Sequence, residues 1–193
     1  MRLRNYTENI LIIVVFLCAC AFLPLRAEDI HEFSPRDRAQ LFWRQGYALH
    51  LVGEYDQAIA HFSKSIDLYP TAEGYTFRGW SLSMLGRLNE AIAECKQAIE
   101  LDPDYGNPYN DIGVYLIDLG HPDEAIPWFK KAMRAKRYCC YQYPHFNMGR
   151  ILLMKGRVSA AVQSFERALS YDPNYEYALK ALEIIREQGF EAI

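Results

Sequence analysis

No basic excess, no acidic block and no glycine-rich phosphate loop mark this chain. Its 21 Lys and Arg stand against 24 Asp and Glu, a formal net charge of −3. That balance gives neither the electrostatic footprint of a nucleic-acid binder nor a polyanionic tail, so no nucleic-acid partner is expected. H-E-x-x-H, G-x-S-x-G and S-x-x-K are all absent, which removes the usual signatures of metalloprotease, serine-hydrolase and penicillin-binding chemistry. The five histidines (His31, His50, His61, His121 and His145) are scattered, and none pairs at metal-ligand spacing. His145 follows Cys139 and Cys140, but a fourth ligand is missing. No enzyme, metal or other cofactor is therefore expected. Disorder of the whole chain is not expected either, because 51% of the 193 residues are apolar.

Long apolar runs are also scarce, with one exception at the amino terminus. Arg2 and Arg4 precede an uncharged stretch from Ile10 to Leu23, and Pro24-Leu25-Arg26-Ala27 follows. This order is that of a secretory signal peptide with cleavage after Ala27, although Leu25 stands where a smaller residue is usual. The apolar run is 14 residues, short of the roughly 20 of a spanning helix. Two other readings stay open. Leu23 and Leu25 lengthen the segment toward an uncleaved membrane anchor. Leu17-Cys18-Ala19-Cys20 resembles a bacterial lipobox with Cys20 as the lipidated residue, yet Ala21-Phe22-Leu23 continues the apolar run where a polar tether is usual. All three deliver the remainder outside the cytoplasm, either periplasmic or anchored through residues 1–27 and facing the periplasm. Residues 28–35 then form a linker.

Beyond it, residues recur in lockstep. Gly46, Gly79, Gly113 and Gly149 are separated by 33, 34 and 36 positions. Ala58, Ala91, Ala125 and Ala161 repeat those intervals, as do Gly53, Gly86, Gly120 and Gly156. Pro70, Pro103 and Pro173 close the first, second and fourth units. Each unit reads as two helices around a glycine turn. In the first unit these are Phe42, Gly46 and Leu49, then Gly53, then Ala58, Phe62 and Ile66. Ser34-Pro35 supplies a helix start, with Ser34 as the N-cap. After Pro173, Ala178, Leu182 and Ile185 form one stripe of a terminal capping helix.

This pattern resembles the tetratricopeptide repeat, in which a large residue, glycine and an aromatic on one helix precede alanine and phenylalanine on the next. The resemblance spans residues 36–175, divided at about 39–71, 72–105, 106–141 and 142–175, with the cap and tail at 176–193. It implies an all-α fold, a right-handed α-solenoid of four helix hairpins plus a C-terminal capping helix. Small residues such as Gly46 and Ala58 let the two helices approach closely. One hairpin cannot bury its own apolar face, so several must stack. The third unit departs from the family. Pro127 falls inside its second helix, where a kink is expected, and Arg137–Tyr143 lengthens its connection to the fourth.

The resemblance also implies a noncatalytic scaffold whose first helices line a concave face that holds a protein or peptide partner. About 100° round each helix from the packing stripe lie Trp43, Tyr47 and His50; Thr76, Trp80 and Ser83; Asn110, Val114 and Ile117; and Phe146, Arg150 and Leu153. Trp43, Tyr47, His50, Trp80, Asn110, Val114, Ile117, Phe146, Arg150 and Leu153 are the expected partner-binding residues, with core packing against the neighbouring hairpin the other reading of Trp43 and Trp80. Together they form a mainly apolar groove with Asn110 and Arg150 as polar anchors. Chaperone-binding members of the family clamp a terminal carboxylate with Lys, Arg and Asn. Here Trp43, Tyr47 and Trp80 occupy those stripes, so that specificity is not expected. The alternative is a structural subunit whose groove is filled by its own homo-oligomer within an envelope assembly. Cys139-Cys140 reads as a vicinal disulfide, an interchain bridge or two plain loop thiols. The basic run Lys130, Lys131, Arg134, Lys136 and Arg137 reads as a solvated outer face, or as one that approaches anionic lipid or an acidic partner.

Overall fold

The computed structural model describes residues 33–188. The leader with Cys20, the Ala27 cleavage position, most of the 28–35 linker and the last five residues lie outside them. Among the described residues there are nine α-helices: α1 (Pro35–Leu51), α2 (Tyr55–Leu68), α3 (Ala72–Met84), α4 (Leu88–Leu101), α5 (Asn107–Asp118), α6 (Pro122–Ala132), α7 (Gln142–Met154), α8 (Val158–Tyr171) and α9 (Glu176–Glu187). None is long and apolar enough to cross a membrane.

Each hairpin is set by local chemistry. Ser34 Oγ accepts from the Asp37 amide at 3.2 Å and caps α1 ahead of Pro35. The turn between α1 and α2 places Gly53 at φ +85°, and Gly86, Gly120 and Gly156 repeat that left-handed conformation in the next three hairpins. A side chain there would meet its own backbone, which is why this glycine series never varies within the chain.

The second helix of each hairpin buries one residue completely in the same register: Phe62, Cys95, Phe129 and Phe165 are all 0% exposed. Each lies against the first-helix glycine. A Cβ at Gly113, for instance, would come within 2.5 Å of the Phe129 ring. The interhelix distance is therefore fixed by the missing side chain on one helix and the ring on the other. Hairpins then pack in sequence, α2 on α3, α4 on α5, α6 on α7 and α8 on α9. First helices also touch across each repeat, α1 with α3, α3 with α5 and α5 with α7. The product is an α-solenoid whose inner surface is made by α1, α3, α5 and α7.

The third unit is irregular as its sequence indicates. α6 runs through Pro127 without a break, but it has 11 residues where α2, α4 and α8 have 14. The chain after α6 folds back across the seam between hairpins two and three. The Arg137 amide donates to the Asp104 carbonyl at 2.9 Å, and the Gly106 amide donates to the Arg137 carbonyl at 3.1 Å. The Arg137 guanidinium bonds Asp102 and Glu73 and lies over the Tyr105 ring at 4.1 Å. Any Cβ at Gly106 would fall on the Tyr138 ring, so the two strands can meet only because that residue is glycine. Cys139 is exposed and Cys140 is half-buried, and among the described residues neither is joined in a disulfide.

Candidate functional site

The inner surface divides into three stretches, because neighbouring aromatics close parts of it. At the amino-terminal end, Trp43 stacks on Tyr47 (centroids 5.4 Å apart, planes within 10°), and both meet the edge of Phe77. Trp43 also borders a recess with Arg36, Gln40, Ser65 and Tyr69. Its Nε1 donor is buried and has no partner among the described residues.

Two expected groove residues belong to the interior. His50 is 5% exposed, bonded through Nδ1 to Ser81 Oγ at 2.9 Å and covered by Trp80 at 4.1 Å. Burial lowers its pKa, which keeps the ring neutral. Ile117 is 8% exposed and packs with Phe129 and Ile151. Both sit at the carboxyl-terminal end of a first helix, where the adjacent hairpin leans over them. A stripe projected from one isolated helix does not include that neighbour.

The middle stretch is a cavity of about 350 Å³. α3 contributes Thr76, Phe77 and Trp80, and α5 contributes Asn107, Asn110, Asp111 and Val114. Tyr138 comes from the irregular connection, and Tyr143 and Asn147 from α7. Of the expected residues, Trp80, Asn110 and Val114 meet here. Trp80 remains 40% exposed at the rim. Hydrogen bonds link the polar members. Arg150 Nη1 donates to Asn147 Oδ1 at 3.2 Å, Asn147 Nδ2 to Asn110 Oδ1 at 3.3 Å, and Asn110 Nδ2 to Asp111 Oδ1 at 3.4 Å. Burial pushes the Asp111 carboxyl up to about 7, and the Asn110 bond opposes that rise only in part.

The last stretch turns toward the cap. Phe146 packs on Phe165, Tyr175 and Tyr177, and Leu153 joins the cluster of Phe165 and Leu182. These two residues lie at the α7–α9 seam, apart from the middle cavity.

Phe77, Asp111 and Asn147 were not among the expected residues, yet they share one register. Each lies two positions before the conserved-in-chain glycine (Gly79, Gly113, Gly149), a further 100° round its helix. That spacing is a signal that would have found them. Tyr138 belongs to no register, and only the folding-back of the connection brings it in.

A stack of helix hairpins with its first helices along one inner face is a repeat solenoid, a class whose surfaces hold other proteins. Three tetratricopeptide-repeat family models match the chain: one at residues 72–105 and 142–175, one at 94–126 and one at 39–71. The chain belongs to the tetratricopeptide-repeat family, and as such it is a protein-interaction scaffold. Members of the family are generally noncatalytic. A comparison with curated protein sequences gives no match.

Among solved structures, PilF of Pseudomonas aeruginosa superposes with TM-score 0.73 at 18% identity, over 81% of this chain and 71% of its own. PilW, titled a widely conserved type IV pilus biogenesis factor, gives 0.69 at 22%, over 75% and 66%. MamA gives 0.61 at 24%, over 70% and 78%. At these identities the likeness establishes the fold alone.

Proposed function

We propose that the chain is an exported, noncatalytic scaffold of the cell envelope that holds a segment of a partner protein along the inner face of α1, α3, α5 and α7. The observation that carries this reading is the middle cavity, built from three successive first helices and rimmed by the half-open indole of Trp80. A large aromatic left in water beside a recess is the usual anchor of a protein interface. Trp43 and Tyr47 extend the same wall toward the amino terminus. Phe146, Arg150 and Leu153 extend it toward the cap, where Tyr177 remains 68% exposed. Export is supported by the signal-like order of residues 1–27, and the likeness to PilF and PilW agrees with an envelope assembly.

The test is crosslinking pull-down from envelope fractions with the whole chain and with Trp80→Ala. Loss of the crosslinked partner in the variant, with a helical melt that is lowered but still cooperative because Trp80 also covers His50, is the expected result. Trp43→Ala is a poorer probe, because its ring packs on Phe62 and Phe77 and its removal costs stability. Retention of the same partner by Trp80→Ala would remove the groove from the interface. A concentration-dependent mass in light scattering that Trp80→Ala abolishes would identify the occupant as a second copy of this chain.

A further inference from the structure

The connection after α6 departs most from the repeat, and it supplies part of the cavity wall. Arg137 is pinned to Asp102 and Glu73, and the following residue, Tyr138, is thereby pressed against Gly106 and into the cavity. Tyr138 is 8% exposed, and its hydroxyl has no hydrogen-bond partner among the described residues. A buried hydroxyl without a partner normally costs about 1–3 kcal/mol, a cost that a donor entering the cavity lined by Tyr138 would offset.

Asp111 shares that cavity. Among the described residues none of the ion pairs includes it, and its side-chain hydrogen bond is the long one from Asn110. The donors run one way, from Arg150 through Asn147 and Asn110, so the carboxylate ends the chain with lone pairs to spare. Burial without a counter-charge already raises its pKa. Phe77, Trp80 and Tyr143 complete the walls with aromatic rings. Aromatic walls around an uncompensated carboxylate favour a cation over a neutral or anionic group. At about 350 Å³ the space lies at the small end of ligand pockets, which run from roughly 300 to 1,000 Å³, and suits one side chain rather than a helix.

Resting on the reading of the inner groove as the partner site, we propose that this cavity receives a lysine or arginine side chain of the bound segment. Asp111 is its counter-charge, the Tyr138 hydroxyl accepts one of its hydrogen bonds, and Trp80 and Phe77 flank it. The occupant is thus a segment carrying a basic residue.

Degenerate peptide pools with the central position fixed as lysine, arginine, norleucine or glutamate, passed over the immobilised whole chain, test this. The lysine or arginine pool should be retained at least about tenfold better than the norleucine pool. Asp111→Asn should abolish that preference, and Tyr138→Phe should weaken it severalfold. Helical melts confirm that both variants fold, and two independent variants guard against a fault in either. Equal retention of the norleucine pool, no retention of any pool, or a basic preference untouched in Asp111→Asn would overturn the proposal. Retention that ignores the central residue yet vanishes in Trp80→Ala would leave the groove as the partner site and remove only the basic side chain. Retention that survives Trp80→Ala would remove the groove as well.

Discussion

Asp111 concentrates the chemistry of the inner face, and its titration is the most direct handle on it. Burial holds its carboxyl at about 7 in the folded chain, against an ordinary value near 4. The folded state therefore binds this proton more tightly than the unfolded chain does. Its stabilising contribution is complete below about pH 4 and is lost as the pH rises through 7. Cys95 on α4, Tyr105, Tyr115 on α5, Tyr138 and Tyr143 surround it, and burial raises all of them, so they stay neutral across that window. Arg150 reaches it only indirectly, through Asn147 and Asn110. Between pH 5 and 8 the melting temperature of the parent chain should fall relative to that of Asp111→Asn. Paired thermal melts check this, and parallel curves would show that the carboxyl is not held protonated.

At the scale of elements, the joint between α6 and α7 is the chain's own addition to a regular stack. Its backbone link joins Asp104 and Gly106 to Arg137, reinforced by side-chain pairs at 2.5 Å to Glu73 and 2.6 Å to Asp102. Those pairs are partly solvated and the guanidinium also stacks on Tyr105, so Arg137→Ala should cost about 1–2 kcal/mol in global stability. Hydrogen exchange should nevertheless speed up at the residue-137 and Gly106 amides, because the link loses its lateral support. Unchanged protection at both amides would show that the backbone pairing holds without the ion pairs. Pro127 belongs to the same irregularity. It leaves α6 helical, and the visible departure is that α6 stops three residues earlier than its counterparts, which releases the chain into the joint.

The whole molecule is quasi-one-dimensional, since contacts run mainly between adjacent helices and between neighbouring hairpins. Its stability is accordingly a sum of hairpin terms and seam terms. The seam between hairpins three and four rests on Ile151, fully buried against Phe129 and Ile117. Ile151→Ala should cost about 2–5 kcal/mol. It should also uncouple the fourth hairpin and α9, so that their amides exchange before those of α1–α5. A single cooperative loss of protection throughout the chain would refute the repeat-by-repeat account.

Four residue series in step sufficed to place the hairpins, because each marker answers a local demand. A glycine turns the chain at positive φ, a second glycine admits a ring, an alanine allows close approach, and Ser34 with Pro35 starts the first helix. Those demands act within some 34 residues, and the sequence carries them openly. The inner surface was only half legible. Trp80, Asn110 and Val114 follow from helical angle alone, whereas His50 and Ile117 are covered by a neighbouring hairpin that no single-helix projection contains. Asp111 and Asn147 share a cavity only because α5 and α7 are set side by side. Tyr138 joins them because the connection after α6 folds back onto Gly106. The sequence by itself thus determined the repeat and its helices, through interactions between residues close along the chain. The tertiary structure alone decided which side chains share the cavity, because that depends on the angle between hairpins and the path of one irregular loop.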